Sequence, residues 1–124
     1  MPHPSEHEPA GRPLSGVEAA ALAEGLQAFA TASRLRLLWA LLDGELPVEE
    51  LAQRSELTPS AASHQLRVLR QARLVAVRRS GRQAFYRLHD HHLPDLLASM
   101  RHHHEHVHPP AGAFAPEAER TSAR

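Results

Sequence analysis

The chain has 124 residues, of which 42% are hydrophobic, and its 14 acidic and 14 basic side chains give a formal net charge of zero. This length suits one small domain, and the absence of cysteine excludes disulfides and thiolate metal sites. No apolar run reaches the roughly 20 residues of a membrane-spanning helix, and the polar, Pro-rich N-terminus lacks the pattern of a signal peptide. We therefore expect a soluble, cytoplasmic protein that has no membrane partner.

The first predicted elements are a tail and a helix. Residues 1–13 are expected to be disordered, because prolines recur there among polar residues. Ser15 and Glu18 have the spacing of a capping box, which predicts a helix that runs to about Ala30. The apolar stripe of this helix consists of Leu22, Leu26 and Phe29.

A second helix is predicted to begin at Thr31 or Ser33 and to end at Asp43-Gly44. Leucines occur nearly all round this helix, which is typical of a buried element. Trp39 is accordingly interpreted as a core residue.

Two helices joined by a tight turn follow in the middle of the chain. Pro47 suits the first position of a helix over Val48–Arg54, and Thr58-Pro59 predicts the start of another helix that runs to about Ala72. The inward-facing residues of this later helix are Ala62, Leu66 and Leu69. Such a pair, with a polar and basic outer face on the second helix, is the helix-turn-helix pattern.

Two runs rich in Val, Phe and Tyr come next, Leu74 to Arg79 and Gln83 to Leu88, and Ser80-Gly81-Arg82 lies between them. They predict a β-hairpin with a basic tip. The predicted fold is therefore mainly α with a small β-hairpin, a winged helix-turn-helix.

Charge is distributed unevenly along the chain. Residues 57–89 contain no Asp or Glu but many arginines, which favours an anionic polymer such as double-stranded DNA as the partner. Ser and Gln can bind base edges, whereas Arg more often holds phosphates. A basic solvated face is the alternative. The candidate DNA-binding residues are Ser60, Ser63, His64, Gln65, Arg67, Arg70, Arg78, Arg79 and Arg82.

A last helix is predicted from Asp90, as its N-cap, to His108, after which Pro109-Pro110 stops it. At 100° per residue, an apolar seam suited to a dimer contact is formed by Leu93, Leu96, Leu97, Met100 and Val107. One flank of the seam carries His92, His103 and His106. The other flank carries His104 and His108.

The histidines of the first flank suggest a metal site. His103 and His106 are i,i+3 neighbours that can share one ion, but His92 lies about 16 Å away along the axis. Since ligand bonds are only about 2.1 Å long, one helix cannot bring all three to one ion. An antiparallel partner helix would bring Asp90 and His92 of one chain to His103 and His106 of the other. This arrangement predicts a homodimer with two equivalent sites.

Other interpretations remain open. A histidine-rich run can be a loose metal-binding tract, and His102/His106 and His104/His108 are i,i+4 pairs that compete with the chosen pair. The chain could be a DNA-binding dimer without a metal response, or a metal-buffering protein. We expect no enzyme and no small-molecule substrate, because there is no Gly-rich phosphate loop, no HExxH motif and no nucleophile–base pair.

Three stretches carry a resemblance to a known family. They are Ala32-Ser33-Arg34-Leu35, the run SHQLRVL over residues 63–69, and Asp90-x-His92 followed after ten residues by His103-x-x-His106. With these, residues 14–108 resemble the ArsR/SmtB family of metal-sensing winged-helix repressors. Residues 14–108 are therefore expected to form one DNA-binding and dimerisation domain, and residues 109–124 a second disordered tail.

The resemblance implies a homodimer, formed through the N- and C-terminal helices, that binds a palindromic operator and is released by metal. It selects Asp90, His92, His103 and His106 as ligands. The family's thiolate site is missing, since Pro47, Val48 and Glu49 stand where its cysteines are expected. Members that sense nickel or cobalt are the most similar, with zinc as the alternative. Candidates for additional ligands are the Pro2 amine, His3 and His108.

Overall fold

The computed structural model describes residues 11–109; the predictions on residues 1–10 and 110–124, including Pro2 and His3, lie outside this range. We number the helices that it describes in chain order: α1 Gly16–Leu26, α2 Ala32–Ala40, α3 Val48–Arg54, α4 Pro59–Gln71 and α5 Leu93–Val107. The strands are β1 Leu46–Pro47, β2 Val75–Ser80 and β3 Gln83–Leu88. Short 3₁₀ turns, Gln27–Phe29 and Leu41–Asp43, follow α1 and α2. No helix in residues 11–109 is long and apolar enough to cross a membrane.

The capping box predicted at the start of α1 is confirmed. The Glu18 N–H donates to Ser15 Oγ (3.1 Å), and the Ser15 N–H donates to Glu18 Oε1 (3.1 Å). The bond from the Ser15 backbone, together with that from Arg12, lowers the pKa of the Glu18 carboxyl below its ordinary value. The helix ends at Leu26 rather than near Ala30, because the chain tightens there into a 3₁₀ turn.

Side-chain caps also fix the starts of α2 and α4. Thr31 Oγ1 accepts from the Arg34 N–H (3.2 Å), so Thr31 and not Ser33 is the cap of α2. Thr58 Oγ1 accepts from the Ala61 N–H (3.0 Å), and Pro59 occupies the first turn of α4 as predicted. Each cap satisfies a backbone donor that the helix itself leaves without a partner.

Both helices of the helix-turn-helix end in the same way. After α4, the Arg73 N–H donates to Arg70 O (3.0 Å) and the Leu74 N–H donates to Leu69 O (2.9 Å), which is a Schellman motif. Arg73 has φ 60°, in the left-handed region, and Glu56 has φ 56° at the equivalent position after α3. Glycine is the residue preferred in this conformation, so each helix end carries some backbone strain.

The sheet has three antiparallel strands in the order β1-β3-β2, of which the sequence predicted the hairpin β2–β3. Val77 pairs with Tyr86 in the hairpin. The short strand β1, which was not predicted, pairs Leu46 with Tyr86 and Pro47 with Phe85. Pro47 therefore ends a strand and occupies the N-cap position before α3, instead of forming the first residue of this helix.

The core lies between α2, α3, α4, the start of α5 and β2. Ala62, Leu66 and Leu69 are fully buried, which confirms the predicted inner face of α4. The other buried hydrophobic residues are Ala28, Phe29, Leu37, Leu38, Leu41, Leu51, Ala52, Leu74, Val75, Leu93 and Leu97. Trp39 packs against this cluster, but α1 contributes none of its own residues to it.

Two expectations about α5 were wrong. Asp90 is not its N-cap: the helix begins at Leu93 with His92 as its cap residue and Pro94 in its first turn, and no side chain caps it. The residues before it form a turn, in which the Leu93 N–H donates to the Asp90 carbonyl (3.4 Å). The predicted apolar seam also divides, since Leu97 is fully buried in the chain's own core while Leu96 stays 40% exposed.

Candidate DNA-binding surface and metal site

The outer face of α4 carries most of the residues predicted to contact DNA. Ser60, Ser63, His64 and Arg67 are exposed, and at 100° per residue they form a stripe about 100° wide. Arg70, also exposed, lies beside it in the last turn. This face presents hydroxyl, imidazole and guanidinium groups, which can bind base edges and phosphates in a major groove.

Gln65 belongs to a different face of α4. It lies roughly 150° from the middle of the outer stripe, is half-buried, and its Oε1 accepts a hydrogen bond from Arg34 Nη1 (3.0 Å). The structure thus directs this side chain towards α2 and separates it from the other residues predicted to read bases.

The arginines of the β-hairpin differ from one another in their surroundings. Arg78 donates from Nε and Nη2 to the Glu45 carboxylate (2.7–3.2 Å) and lies 4.8 Å from the centroid of the Phe85 ring. The hydrogen bonds of this pair raise the pKa of Arg78 and lower the pKa of Glu45. Arg79 and Arg82 are exposed and make no ion pair within residues 11–109. Arg79 and Arg82 are therefore available to a phosphate backbone, whereas Arg78 is already paired.

The turn before α5 brings Asp90 and His92 together. Asp90 Oδ1 lies 2.8 Å from His92 Nδ1, and Asp90 Oδ2 lies 3.2 Å from His89 Nδ1. Oδ1 is buried and has no hydrogen-bond partner among the described residues, so the short distance to His92 is a contact without hydrogen-bond geometry. A buried carboxylate oxygen beside an imidazole nitrogen is a pair of donor atoms that one metal ion can satisfy.

The other two predicted ligands are on the exposed side of α5. His103 and His106 share that side with Leu96 and Ser99, all of them within about 80° on the helix. His92 lies about 16 Å from His103 along the axis. No group of three or more metal-ligating side chains forms within residues 11–109 of one chain. A four-ligand site that uses these residues therefore requires a second chain.

His104 and His108 lie on another side of α5. Their rings are 5.1 Å apart, and both line a groove whose other wall includes Trp39 of α2. Arg101 covers the Trp39 ring from the same side, 5.1 Å from its centroid. The structure thus separates His108, a candidate for an additional ligand, from the flank of His103 and His106.

The four predicted ligands suit a borderline metal. One carboxylate and three imidazoles are hard and intermediate donors, which bind zinc, nickel and cobalt well. Residues that hydrogen-bond to a metal ligand commonly orient it. His89, which contacts Asp90, is in the position of such a residue. His89, Arg34 and Glu45 were not predicted as functional residues. Two of them had a visible signal: His89 lies next to Asp90, and Arg34 belongs to one of the stretches that resemble the family.

Comparison with known proteins identifies the family. A sequence profile described as "Bacterial regulatory protein, arsR family" matches residues 31–77. The HTH-type transcriptional regulator NmtR of Mycobacterium tuberculosis is 48% identical over 77% of this chain and 80% of its own length. A transcriptional repressor SmtB homolog of Synechocystis is 45% identical over 69% of this chain and 65% of its own length. These relatives are named regulators of transcription, not enzymes.

Solved structures agree with the sequence comparison. The solution structure of apo-NmtR superposes with a TM-score of 0.66 at 47% identity and covers 78% of this chain and 82% of that one. A winged helix-turn-helix DNA-binding domain from Mycobacterium bovis, described as homodimeric, has a TM-score of 0.66 at 31% identity over 77% of this chain and 93% of that one. The predicted winged-helix fold is confirmed, and the chain belongs to the ArsR family of bacterial regulatory proteins.

Proposed function

We propose that this protein is a transcriptional repressor that binds operator DNA as a homodimer and is released by a divalent metal ion. Nickel or cobalt is the proposed ion, with zinc as the alternative. The observation that carries the metal response is the Asp90–His92 pair, in which a buried carboxylate oxygen without a hydrogen-bond partner lies 2.8 Å from an imidazole nitrogen. His103 and His106, exposed on α5, supply the remaining two ligands.

Exposed apolar side chains support the dimer. On α1 and just before it, Leu14, Val17, Leu22 and Leu26 are 51–83% exposed, and on α5 Leu96 and Val107 are 40% and 50% exposed. Apolar residues that cluster on two helices of a small domain mark a protein–protein contact. We infer that α1 and α5 of one chain pack against α1 and α5 of the other through these exposed apolar residues.

Antiparallel packing of the two α5 helices completes the metal site. Asp90 and His92 of one chain then face His103 and His106 of the partner subunit, and a two-fold axis generates the site twice. The ion, when bound, supplies coordination bonds that join the two chains. Additional ligands for nickel, which favours higher coordination, are proposed from Pro2 or His3.

Coupling to DNA follows from the core. Leu93 and Leu97 of α5 belong to the same buried cluster as Leu66 and Leu69 of α4. A change in the angle between the two α5 helices therefore carries the recognition helices with it, because packed cores transmit displacements. Operator half-sites lie about 34 Å apart. An orientation with the wrong spacing weakens binding by a coupling free energy of about 1–3 kcal/mol.

The test is operator affinity by fluorescence anisotropy, with DNA from upstream of the protein's own gene. Nickel, cobalt and zinc are titrated separately at fixed salt, because salt alone changes affinity strongly. We expect one metal to weaken binding by about tenfold or more. His103→Ala/His106→Ala should abolish this response. His102→Ala/His104→Ala, which removes two histidines from the same helix but leaves the four proposed ligands in place, should retain it.

A mixed dimer distinguishes the inter-chain site from a loose histidine tract. One chain carries Asp90→Ala/His92→Ala, and the other carries His103→Ala/His106→Ala. Neither variant alone forms a complete site, but the heterodimer contains one intact set of four ligands. Recovery of one high-affinity ion per heterodimer supports the inter-chain geometry, and failure to recover it contradicts that geometry.

The remaining outcomes separate the alternatives. Tight DNA binding that no metal changes would leave a DNA-binding dimer with another effector. Metal binding without sequence-specific DNA affinity would favour metal buffering. A reporter gene under the operator decides the sign: deletion of the regulator raises expression if it is a repressor and lowers it if it is an activator.

A further inference from the structure

Arg34 joins three parts of the chain through one guanidinium group. Its Nε donates to the Ala28 carbonyl (2.7 Å), its Nη2 donates to the Gln27 carbonyl (3.1 Å), and its Nη1 donates to Gln65 Oε1 (3.0 Å). The first two acceptors belong to the 3₁₀ turn that ends α1, and the third belongs to α4. The backbone of Arg34 is held in the first turn of α2, so its side chain connects α2 with the other two segments.

The geometry of this contact is well suited to hold one position. A guanidinium is planar and permanently charged, so its donors have fixed directions. The carbonyl of Ala28, a buried residue, and the half-buried Gln65 place the group partly out of solvent, where hydrogen bonds from a charged donor are strong. Rotation of α4 about its own axis, or a shift along it, would break the bond to Gln65.

Gln65 is also poorly placed to read bases itself. It lies roughly 150° from the middle of the exposed stripe of α4. A bidentate contact with adenine requires both the carbonyl and the amide of the side chain, but its carbonyl oxygen is already held by Arg34.

We propose that Arg34 and Gln65 are positioning residues for operator binding, which hold the recognition helix α4 against the segment that ends α1. Gln65 then acts through Arg34 and does not contribute to base preference. Because α1 carries exposed apolar residues suited to a dimer contact, the Arg34 hydrogen bonds set the angle between the dimer contact and the DNA-binding face. This inference rests on the DNA-binding part of the proposed function but not on the metal response.

The experiment measures affinity of the metal-free full chain for a fluorescein-labelled duplex from upstream of its own gene. A series of duplexes with single base-pair changes reports base preference. Arg34→Gln and Gln65→Leu remove the bond from either side. Arg36→Gln is the matched control, because it removes the same charge from the same helix, where Arg36 forms an exposed ion pair with Glu56.

We expect Gln65→Leu to weaken binding by about tenfold, which corresponds to loss of one charge-assisted hydrogen bond. Arg34→Gln should weaken it at least as much, because it also removes the bonds to Gln27 and Ala28. The loss should be equal for all duplexes, so their rank order stays that of the wild type. The double variant should bind no more weakly than Arg34→Gln alone, because Arg34→Gln already removes the bond to Gln65. Arg36→Gln should remain within about threefold of the wild type.

Gln65→Glu separates positioning from base reading. A carboxylate still accepts from Arg34, so this variant should bind within about threefold of the wild type. A base-reading role predicts instead a large loss, because the variant lacks the amide donor and places a negative charge near DNA. That loss, or a changed rank order in Gln65→Leu, would overturn the proposal.

Thermal unfolding of each variant is recorded alongside. If Arg34→Gln is unfolded at the assay temperature, the comparison of Gln65→Glu with Gln65→Leu decides, since both leave the Arg34 bonds to Gln27 and Ala28 in place. A wild-type chain that does not distinguish the upstream duplex from a scrambled one overturns DNA binding and this inference together. A chain that binds the duplex but ignores metal overturns only the metal response.

Discussion

The arginines of the β2–β3 hairpin, the wing of the fold, should contribute unequally to the salt dependence of DNA binding. Each phosphate neutralised by a basic side chain adds about 0.9 to the slope of log K against log salt. Arg82 is exposed at the hairpin tip and makes no ion pair within residues 11–109. In a dimer, Arg82→Ala removes two contacts and should lower the slope by about 1.8. Between 50 and 200 mM salt, the wild type then loses about 12-fold more affinity than the variant.

Arg78 should behave differently because its charge is already compensated. It is paired with Glu45 through two guanidinium nitrogens, so Arg78→Ala should change the slope by less than half as much as Arg82→Ala. Glu45→Gln should increase the slope, since it releases Arg78. Anisotropy titrations at four or more salt concentrations measure these slopes, with Arg12→Ala, a change far from α4 in sequence, as the control. Equal slopes for Arg78→Ala and Arg82→Ala would refute the reasoning.

Three further predictions concern stability and are checked by urea unfolding at one fixed protein concentration. Arg73→Gly should raise the unfolding free energy by about 1 kcal/mol relative to Arg73→Ala, because only glycine adopts the left-handed conformation without strain. The control is Gln71, which lies inside the helix: there Gln71→Ala should be more stable than Gln71→Gly. Ser55→Ala should keep or raise stability by about 1 kcal/mol, since Ser55 Oγ is buried and lacks a partner among the described residues; a loss above that size would contradict this. The hydrogen bond from Arg78 lowers the pKa of the Glu45 carboxyl, so its contribution to the unfolding free energy is present above the ordinary value of 4.5 and is lost as the pH falls through the folded value. The difference in unfolding free energy between wild type and Glu45→Gln should therefore shrink in acid. A difference that does not depend on pH would contradict a stabilising Glu45–Arg78 pair.

Local signals explain why the starts of α1 and α4 could be predicted from the sequence. Ser15 and Thr58 each have a side-chain oxygen that can bond a backbone N–H three residues later, and both do so in the structure. Pro59 reinforces the start of α4 because its missing donor falls where the helix needs none. These interactions join residues close in the chain, so no knowledge of the tertiary fold is needed to expect them.

The features that could not be predicted depend on residues far apart in the chain. Strand β1 exists because Leu46 and Pro47 meet β3 about 40 residues later. The bond of Arg34 to Gln65 spans 31 residues, and that of Arg78 to Glu45 spans 33 residues. Their positions in the predicted recognition helix and hairpin placed Gln65 and Arg78 among the residues that contact DNA, but only their partners show what their polar groups already bind.

The start of α5 illustrates a conflict between two local signals. Asp90 has the side chain of a good N-cap, whereas Pro94 prefers the first turn of a helix. The proline decided the boundary, because its position in the first turn leaves Asp90 outside the helix. As a result, the carboxylate is free of a capping bond and lies between His89 and His92.

Helix α5 has to serve two surfaces at once, and its sequence divides accordingly. Leu93 and Leu97 face inward and share the core with α4, while Leu96, His103 and His106 remain exposed on another side. A helix whose apolar seam served only a dimer contact could move without disturbing the DNA-binding face. Leu93 and Leu97 are instead buried in the same core as Leu66 and Leu69 of α4, so a restraint on the exposed side of α5 would act on the core that positions the recognition helix. On this division of the seam rests our proposal that metal binding and DNA binding are coupled.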